Sequence, residues 1–134
     1  MNYIDAVISM IPNEPNSNIG IYSENSELIE AVERKADEFL STTYDLRENN
    51  FRRLPFGGEF FEFIVFDSDK MVLDEQVAKQ LEFAIQRNRF LAVLTSSLKT
   101  EDLENIYTEL NFTHIEPIDF EDKRIFSMRK WFRL

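Results

Sequence analysis

A regular alternation of strand patterns with helix patterns is the sequence feature that most constrains the fold. The strongest strand is predicted at Phe60–Phe66 (FFEFIVF), where six of the seven residues are apolar, as expected for a strand covered on both faces. The other strands are predicted at Asn18–Tyr22, Tyr44–Leu46, Phe90–Leu94 and Phe112–Ile115, with amphipathic helix patterns between most of them. This order predicts an α/β three-layer sandwich with a mostly parallel, five-stranded sheet.

The domain organisation follows from the chain length and from the first residues. Ile4, Val7 and Ile8 lie at helical spacing, and Pro12 and Pro15 end that pattern. The 134 residues match the usual size of one domain. We therefore predict an extra N-terminal helix and linker over residues 1–17 and one α/β domain over residues 18–134.

Composition excludes several classes of chemistry. The chain has no cysteine and one histidine, His114, which excludes disulfide scaffolds, thiol nucleophiles and multi-histidine metal centres. Its three glycines form neither a P-loop nor a G-x-G-x-x-G pattern. No apolar run is long enough to span a bilayer, and the chain does not begin with a secretory signal pattern. We therefore expect a cytoplasmic protein that does not bind membranes.

The charge is strongly negative but unevenly distributed. The chain carries a net charge of −10, which repels nucleic-acid phosphates, so we do not expect a nucleic-acid partner. Residues 123–134 instead contain five lysines and arginines and no acid. These cations either complement the dipole of a C-terminal helix or form a docking surface for an acidic partner.

Polar residues follow the predicted strands where parallel sheets of this class bind ligands. These strand ends are Ser23-Glu24, Asp67-Ser68-Asp69, Thr95-Ser96 and Glu116-Pro117. By the spacing of these positions, the chain resembles the response-regulator receiver domain, a flavodoxin-like fold, over about residues 18–133. The resemblance implies that Asp67 is the candidate phosphoacceptor, that Thr95 contacts the phosphoryl group, and that Mg²⁺ is held by carboxylates.

The candidate metal ligands are Glu24, Asp67 and Asp69, although paired acids at such loops are also common as solvated or capping residues. The match to the receiver is incomplete, because Glu116 stands where receivers have a lysine and Ser23 replaces one acid of the metal pair. We therefore predict a degenerate receiver that is not stably phosphorylated. Its expected function is a non-catalytic regulatory or protein-interaction domain.

A second, alternative resemblance is to a shortened class I S-adenosylmethionine-dependent methyltransferase. The ending Asn111–Trp131 is similar to the closing antiparallel hairpin of those enzymes, with Arg124–Phe132 as a strand. The match is again degenerate, because the first strand has only Gly20 where that family needs a glycine-rich loop against the cofactor. The 43 residues between Glu24 and Asp67 are also too few for three βα units.

Two segments are candidates for binding a protein partner. In the receiver interpretation, Asp119 caps a final helix that has Ile125, Met128 and Phe132 on one side. The predicted interaction residues of this segment are Trp131, Phe126, Arg129 and Lys130. Aromatic residues surrounded by cations favour self-association as a homodimer or docking to an acidic protein. The apolar side chains within residues 51–56 indicate either packing over the sheet or a further partner surface.

Overall fold

A computed structural model of the protein describes residues 2–48 and 57–131. The helices are α1 (Tyr3–Met10), α2 (Ser26–Glu38), α3 (Glu75–Ala84) and α4 (Thr100–Tyr107). The strands are β1 (Asn18–Tyr22), β2 (Thr42–Asp45), β3 (Phe61–Asp67), β4 (Ile85–Thr95), β5 (Phe112–Asp119) and β6 (Arg124–Lys130). Short 3-10 turns lie at Leu46–Glu48 and Thr108–Leu110.

The described strands form one sheet in the order β2-β1-β3-β4-β6-β5. Strands β1 to β4 are parallel, whereas β6 is antiparallel to both of its neighbours. The α/β class and the parallel arrangement of the first four strands are confirmed. The prediction of five strands is wrong, because the C-terminal segment contributes a sixth strand inside the sheet.

The C-terminal helix predicted in the receiver interpretation is replaced by the β5–β6 hairpin. Ile118 and Asp119 pair with Ile125 and Arg124, so the chain reverses over residues 120–123. Pro117, expected to end the preceding strand, lies within β5, which is an edge strand. Proline has no backbone N–H, and it is tolerated on an edge strand because the outer side of that strand has no neighbouring strand to which it must donate.

Two apolar cores cover the two faces of the sheet. One core packs α1 and α2 against β1, with Val7, Leu28 and Ile19 fully buried. The other packs α3 and α4 against β3 and β4 through residues such as Leu81 and Leu103. The N-terminal helix therefore belongs to the same layered core as the strands that follow it.

Local capping fixes the start of each of the first three helices. Asn2, Asn25 and Asp74 accept hydrogen bonds from the backbone of α1, α2 and α3, as short polar side chains do at helix N-termini. Strand β4 begins at Ile85, directly after α3, and is longer than predicted. Phe61 pairs with Ile85 and Phe63 with Phe90, so one residue of β3 lies opposite four of β4, among them Asn88 in the left-handed region.

The segment of residues 51–56, predicted to cover the sheet or bind a partner, lies outside the described residues. Between β2 and that segment, the structure describes only the 3-10 turn Leu46–Glu48. Over the described ranges, no helix is both long enough and apolar enough to cross a membrane. The expected cytoplasmic location stays a prediction.

Candidate functional site

The carboxyl ends of β1 and β3 define a crevice at the centre of the sheet. The chain leaves β1 toward β2 on one side, while β3 lies on the other side. In open α/β sheets, ligands bind at such a topological switch point, beyond the carboxyl ends of the strands. Ser23 follows β1 and Asp67 ends β3, so these two residues lie on opposite sides of the crevice.

Ser23, Asp67 and Lys123 form a connected polar network across this crevice. The Ser23 hydroxyl, which is fully buried, donates to Asp67 Oδ2 at 2.8 Å and accepts from the backbone N–H of Asn25 at 3.0 Å. Lys123 Nζ lies 3.0 Å from Asp67 Oδ1. The side chains of Lys123 and Asp67 are 23% and 11% exposed. Both oxygens of Asp67 are thus engaged, and its charge is matched by an ammonium group.

The sequence analysis missed Lys123 as a site residue. It lies 56 positions after Asp67 and reaches the crevice from the turn between β5 and β6. That turn is at the carboxyl edge because β6 runs back antiparallel to β4. The available signal was the alternative interpretation of residues 111–131 as a hairpin, which places its turn at this edge.

Glu24 and Asp45 are both bound by Arg47, which was not predicted from the sequence as a site residue. Arg47 pairs with Asp45 at 2.8 Å and with Glu24 at 3.3 Å. The hydrogen bonds from Arg47 hold the pKa of Asp45 below its usual 3.8, because they stabilise the carboxylate. The acid at the end of β2 is therefore engaged by a neighbouring cation.

Asp69 and Thr95 organise the loops that follow β3 and β4. Asp69 accepts from the Ser97 hydroxyl at 3.0 Å and from the Ser96 backbone N–H. The Thr95 hydroxyl is buried and accepts from the backbone N–H groups of Ser97 and Leu98. Both side chains thus satisfy backbone or hydroxyl groups of the β4–α4 loop.

A cleft of about 590 Å³ brings together all three candidate metal ligands, Glu24, Asp67 and Asp69, with Lys70 and Lys123. Among the described residues, no group of three or more acidic or histidine side chains has a geometry that could hold a metal ion. Each of the three carboxylates has the cationic or hydroxyl partner given above. Magnesium binding here stays a prediction from the sequence.

Tyr22 and Gly20 of β1 both take part in packing within the sheet. The ring of Tyr22 stacks on that of Phe66, with centroids 4.8 Å apart. Gly20 lies inside β1, and a Cβ there would lie 3.2 Å from the side chains of Leu46 and Phe61. The only glycine of this strand therefore serves the packing of the sheet face.

The four predicted interaction residues lie on or directly after β6, and they do not share one surface. Phe126 is fully buried in the core, and Lys130 is 8% exposed. Lys130 Nζ donates to the backbone oxygens of Glu82 and Ile85 at 2.7 and 2.8 Å. Arg129 is half-buried, whereas Trp131 is 47% exposed.

No protein-family model matches the sequence, and no curated protein matches it. The fold, however, is similar to that of solved S-adenosylmethionine-dependent methyltransferases. One, from Methanosarcina mazei, has a TM-score of 0.62 at 10% identity, over 99% of this chain and 100% of that chain. Phosphoethanolamine N-methyltransferase 2 of Haemonchus contortus has a TM-score of 0.68 at 10% identity, over 96% of this chain but 52% of that enzyme.

A third similar structure is a complex from Haloferax volcanii between the Trm112 methyltransferase activator and a putative methyltransferase. It has a TM-score of 0.64 at 6% identity, over 96% of this chain and 88% of that one. At these identities the similarity concerns the fold alone. The present chain therefore has the Rossmann-like fold of methyltransferase structures.

The similarity and the sheet order overturn the receiver interpretation. A receiver sheet has the order 2-1-3-4-5 and ends in a helix, whereas here an antiparallel strand lies between β4 and β5. The phosphoacceptor role of Asp67 and the function of a degenerate receiver depended on that resemblance. The predicted receiver function is wrong, and the methyltransferase alternative is the one that the similar structures favour.

The residues at the carboxyl edge do not fit S-adenosylmethionine. The methyltransferase family needs a glycine-rich loop so that backbone can approach the cofactor closely, but Tyr22, Ser23 and Glu24 follow Gly20 in this chain. Between the ends of β1 and β3, both oxygens of Asp67 are already engaged, by Ser23 and by Lys123. The fold of the enzymes is present, and the loop that holds their cofactor is not.

Proposed function

We propose that this protein is a degenerate methyltransferase-like protein, which has the methyltransferase fold but neither binds S-adenosylmethionine nor transfers its methyl group. One observation carries the proposal: the contacts of Ser23 and Lys123 with Asp67 across the central crevice. A ligand that enters between the ends of β1 and β3, and not only the outer cleft, would have to separate these groups. Separation would leave the nearly buried carboxylate of Asp67 without its cation, which is costly in a site of low solvent access.

Two further observations support loss of the cofactor site. The Tyr22 ring stacks on Phe66 beside the position of the missing glycine loop. The carboxylate of Asp45, at the end of β2, is engaged by Arg47. A cofactor hydroxyl at that strand end would have to compete with a charge-assisted hydrogen bond, which is among the stronger contacts in proteins.

Calorimetric titration with S-adenosylmethionine and with S-adenosylhomocysteine tests the proposal. We expect no saturable heat for either compound with the full chain, whereas a methyltransferase run in parallel gives a normal isotherm. Saturable binding of either compound with one site per chain would overturn the proposal.

A pair of variants separates the two causes of exclusion. Lys123→Met removes the ion pair but leaves Tyr22 and Ser23 in place, so we expect no saturable binding by this variant in the same titration. Lys70→Met is its matched control, because Lys70 lines the same cleft and is exposed. Saturable binding by Lys123→Met but not by Lys70→Met would mean that the ion pair, and not the missing glycine loop, is what excludes the cofactor from wild type.

A further inference from the structure

The amino-terminal edge of the sheet, opposite the crevice described above, carries a second cleft with exposed aromatic residues. This amino-edge cleft, of about 620 Å³, is lined by Phe83, Trp131, Glu59, Arg87, Glu82 and Lys130. Phe83 and Trp131 are 53% and 47% exposed. Two large aromatic side chains exposed in one cleft are typical of surfaces that bind another protein.

The Phe83 ring and the Trp131 backbone are each held by neighbouring backbone. Trp131 directly follows β6, and its backbone N–H donates to the carbonyl of Asn111 at 2.6 Å. The backbone of Gly58 packs so closely on Phe83 that a Cβ there would lie 3.0 Å from its ring. A ring that is already packed, such as that of Phe83, loses little conformational entropy on binding, which favours it as an anchor of an interface.

The charges of the amino-edge cleft balance, in contrast to the whole chain. Among the residues that the structure describes, the cleft has two acids, Glu59 and Glu82, and two cations, Arg87 and Lys130, on a protein with a net charge of −10. Two copies of so acidic a chain repel each other over most orientations. A neutral surface that carries both signs of charge is where two copies can approach.

The two ion pairs of the cleft differ in how they could respond to a partner. Lys130 pairs with the Glu82 carboxylate at 3.6 Å, but it is buried and its ammonium also binds the carbonyls of Glu82 in α3 and of Ile85 at the start of β4, so it is committed to its own chain. Arg87 and Glu59 form a 2.9 Å pair, but their side chains are 56% and 45% exposed. An exposed pair contributes little to folding. Its members can therefore pair with the same residues of another molecule at small cost.

We propose that the amino-edge cleft is the interface of a two-fold symmetric homodimer. Phe83 and Trp131 of each copy form its apolar centre, and Arg87 of each copy pairs with Glu59 of the other. A two-fold interface brings the same patch of both copies together, and this patch supplies both members of each ion pair. The proposal concerns a different edge of the sheet from the degenerate cofactor site and does not depend on it.

Sedimentation equilibrium of the full chain, up to about 100 μM, tests whether the dimer forms. We expect wild type to dimerise, and Phe83→Glu and Trp131→Ala each to weaken association by about tenfold or more. The matched control is Phe90→Glu, since Phe90 is also an exposed aromatic (43%) but does not line the cleft. We expect Phe90→Glu to associate like wild type, with far-UV circular dichroism verifying the fold of each variant.

A charge-exchange experiment tests the ion pairs themselves. Arg87→Glu and Glu59→Arg each place like charges opposite one another in a homodimer, so neither variant should self-associate. An equimolar mixture restores both pairs and should dimerise about as well as wild type. Glu59→Arg is informative because it reduces the net negative charge, which by itself would favour self-association. Three results would overturn the proposal. They are a wild type that stays monomeric, a Phe90→Glu control whose self-association is weakened as much as that of Phe83→Glu, and a mixture that associates no more than its two components do alone.

Discussion

The contribution of Lys123 to stability gives the sharpest quantitative prediction. Replacing it by methionine keeps most of the side-chain volume but leaves the Asp67 carboxylate, 11% exposed, without its cation at 3.0 Å. Breaking a fully buried ion pair costs about 3–5 kcal/mol, whereas an exposed pair contributes about 0–1 kcal/mol. Since Lys123 is 23% exposed, we expect Lys123→Met to lower the free energy of unfolding by about 2 kcal/mol.

A double-mutant cycle with Asp67→Asn isolates the interaction from other effects of the substitution. Asparagine retains an oxygen that can accept from Ser23 but has no charge to leave unpaired. We therefore expect Lys123→Met to cost little in the Asp67→Asn background, which gives a coupling free energy of about 1–2 kcal/mol. Urea unfolding, with unchanged m-values, measures all four proteins.

The matched control is again Lys70→Met, because Lys70 is exposed and lines the same cleft. It should change the free energy of unfolding by less than about 0.5 kcal/mol. If Lys123→Met has no larger effect than this control, or if the coupling is close to zero, the network does not join the hairpin turn to β3 and our account of the crevice is wrong.

Three further predictions concern single groups. Tyr107→Phe should cost about 1–2 kcal/mol in urea unfolding, because the buried Tyr107 hydroxyl donates to the Val72 carbonyl at 2.8 Å and that oxygen would be left unpaired. Gly20→Ala should cost about 1 kcal/mol in the same assay, because its Cβ would lie 3.2 Å from two packed side chains. For Asp45, the folded-state pKa lies below 3.8 because of Arg47, so its stabilising contribution is present above that pH and lost as the pH falls below it. Thermal unfolding of wild type and Asp45→Asn should therefore differ most near neutral pH and converge in acid; a constant difference would refute this.

Elements with one strong local signal could be predicted from the sequence. Strand β1 begins and ends at the predicted residues, and Asn25 and Asp74 cap α2 and α3 through their side chains. These features depend on contacts within a few residues. Strand β3 was also predicted to within one residue at each end, because a nearly continuous apolar run is typical of a central strand.

The C-terminal segment was ambiguous for a physical reason. The spacing of Ile125 and Met128 fits one face of a helix, but in the structure the two side chains lie in the cores on opposite faces of β6. A short apolar run does not by itself distinguish a helix from a strand buried on both faces. The segment is a strand because it pairs with β4 on one side and β5 on the other. These pairings join residues that are distant in the sequence, so the local pattern does not reveal them.

The same dependence on residues distant in the sequence explains why the site was only partly predicted. Asp67 and Ser23 were selected because strand ends are visible in the sequence. Lys123 was not, because it reaches Asp67 only through the hairpin turn. Arg47 lies two residues after Asp45, but its contact with Glu24 depends on the pairing of β2 with β1.

The central claim is that Ser23, Asp67 and Lys123 engage one another across the crevice between β1 and β3, and that this crevice does not hold the methyltransferase cofactor. Titration of the ¹⁵N-labelled protein with S-adenosylhomocysteine tests it most directly, because the Asn25 amide donates to Ser23 at the crevice and reports any displacement there. Our account predicts that the amide resonances of Asn25 and Ser68 do not move up to about 1 mM ligand. Saturable shifts of these two resonances, with most others unchanged, would contradict it.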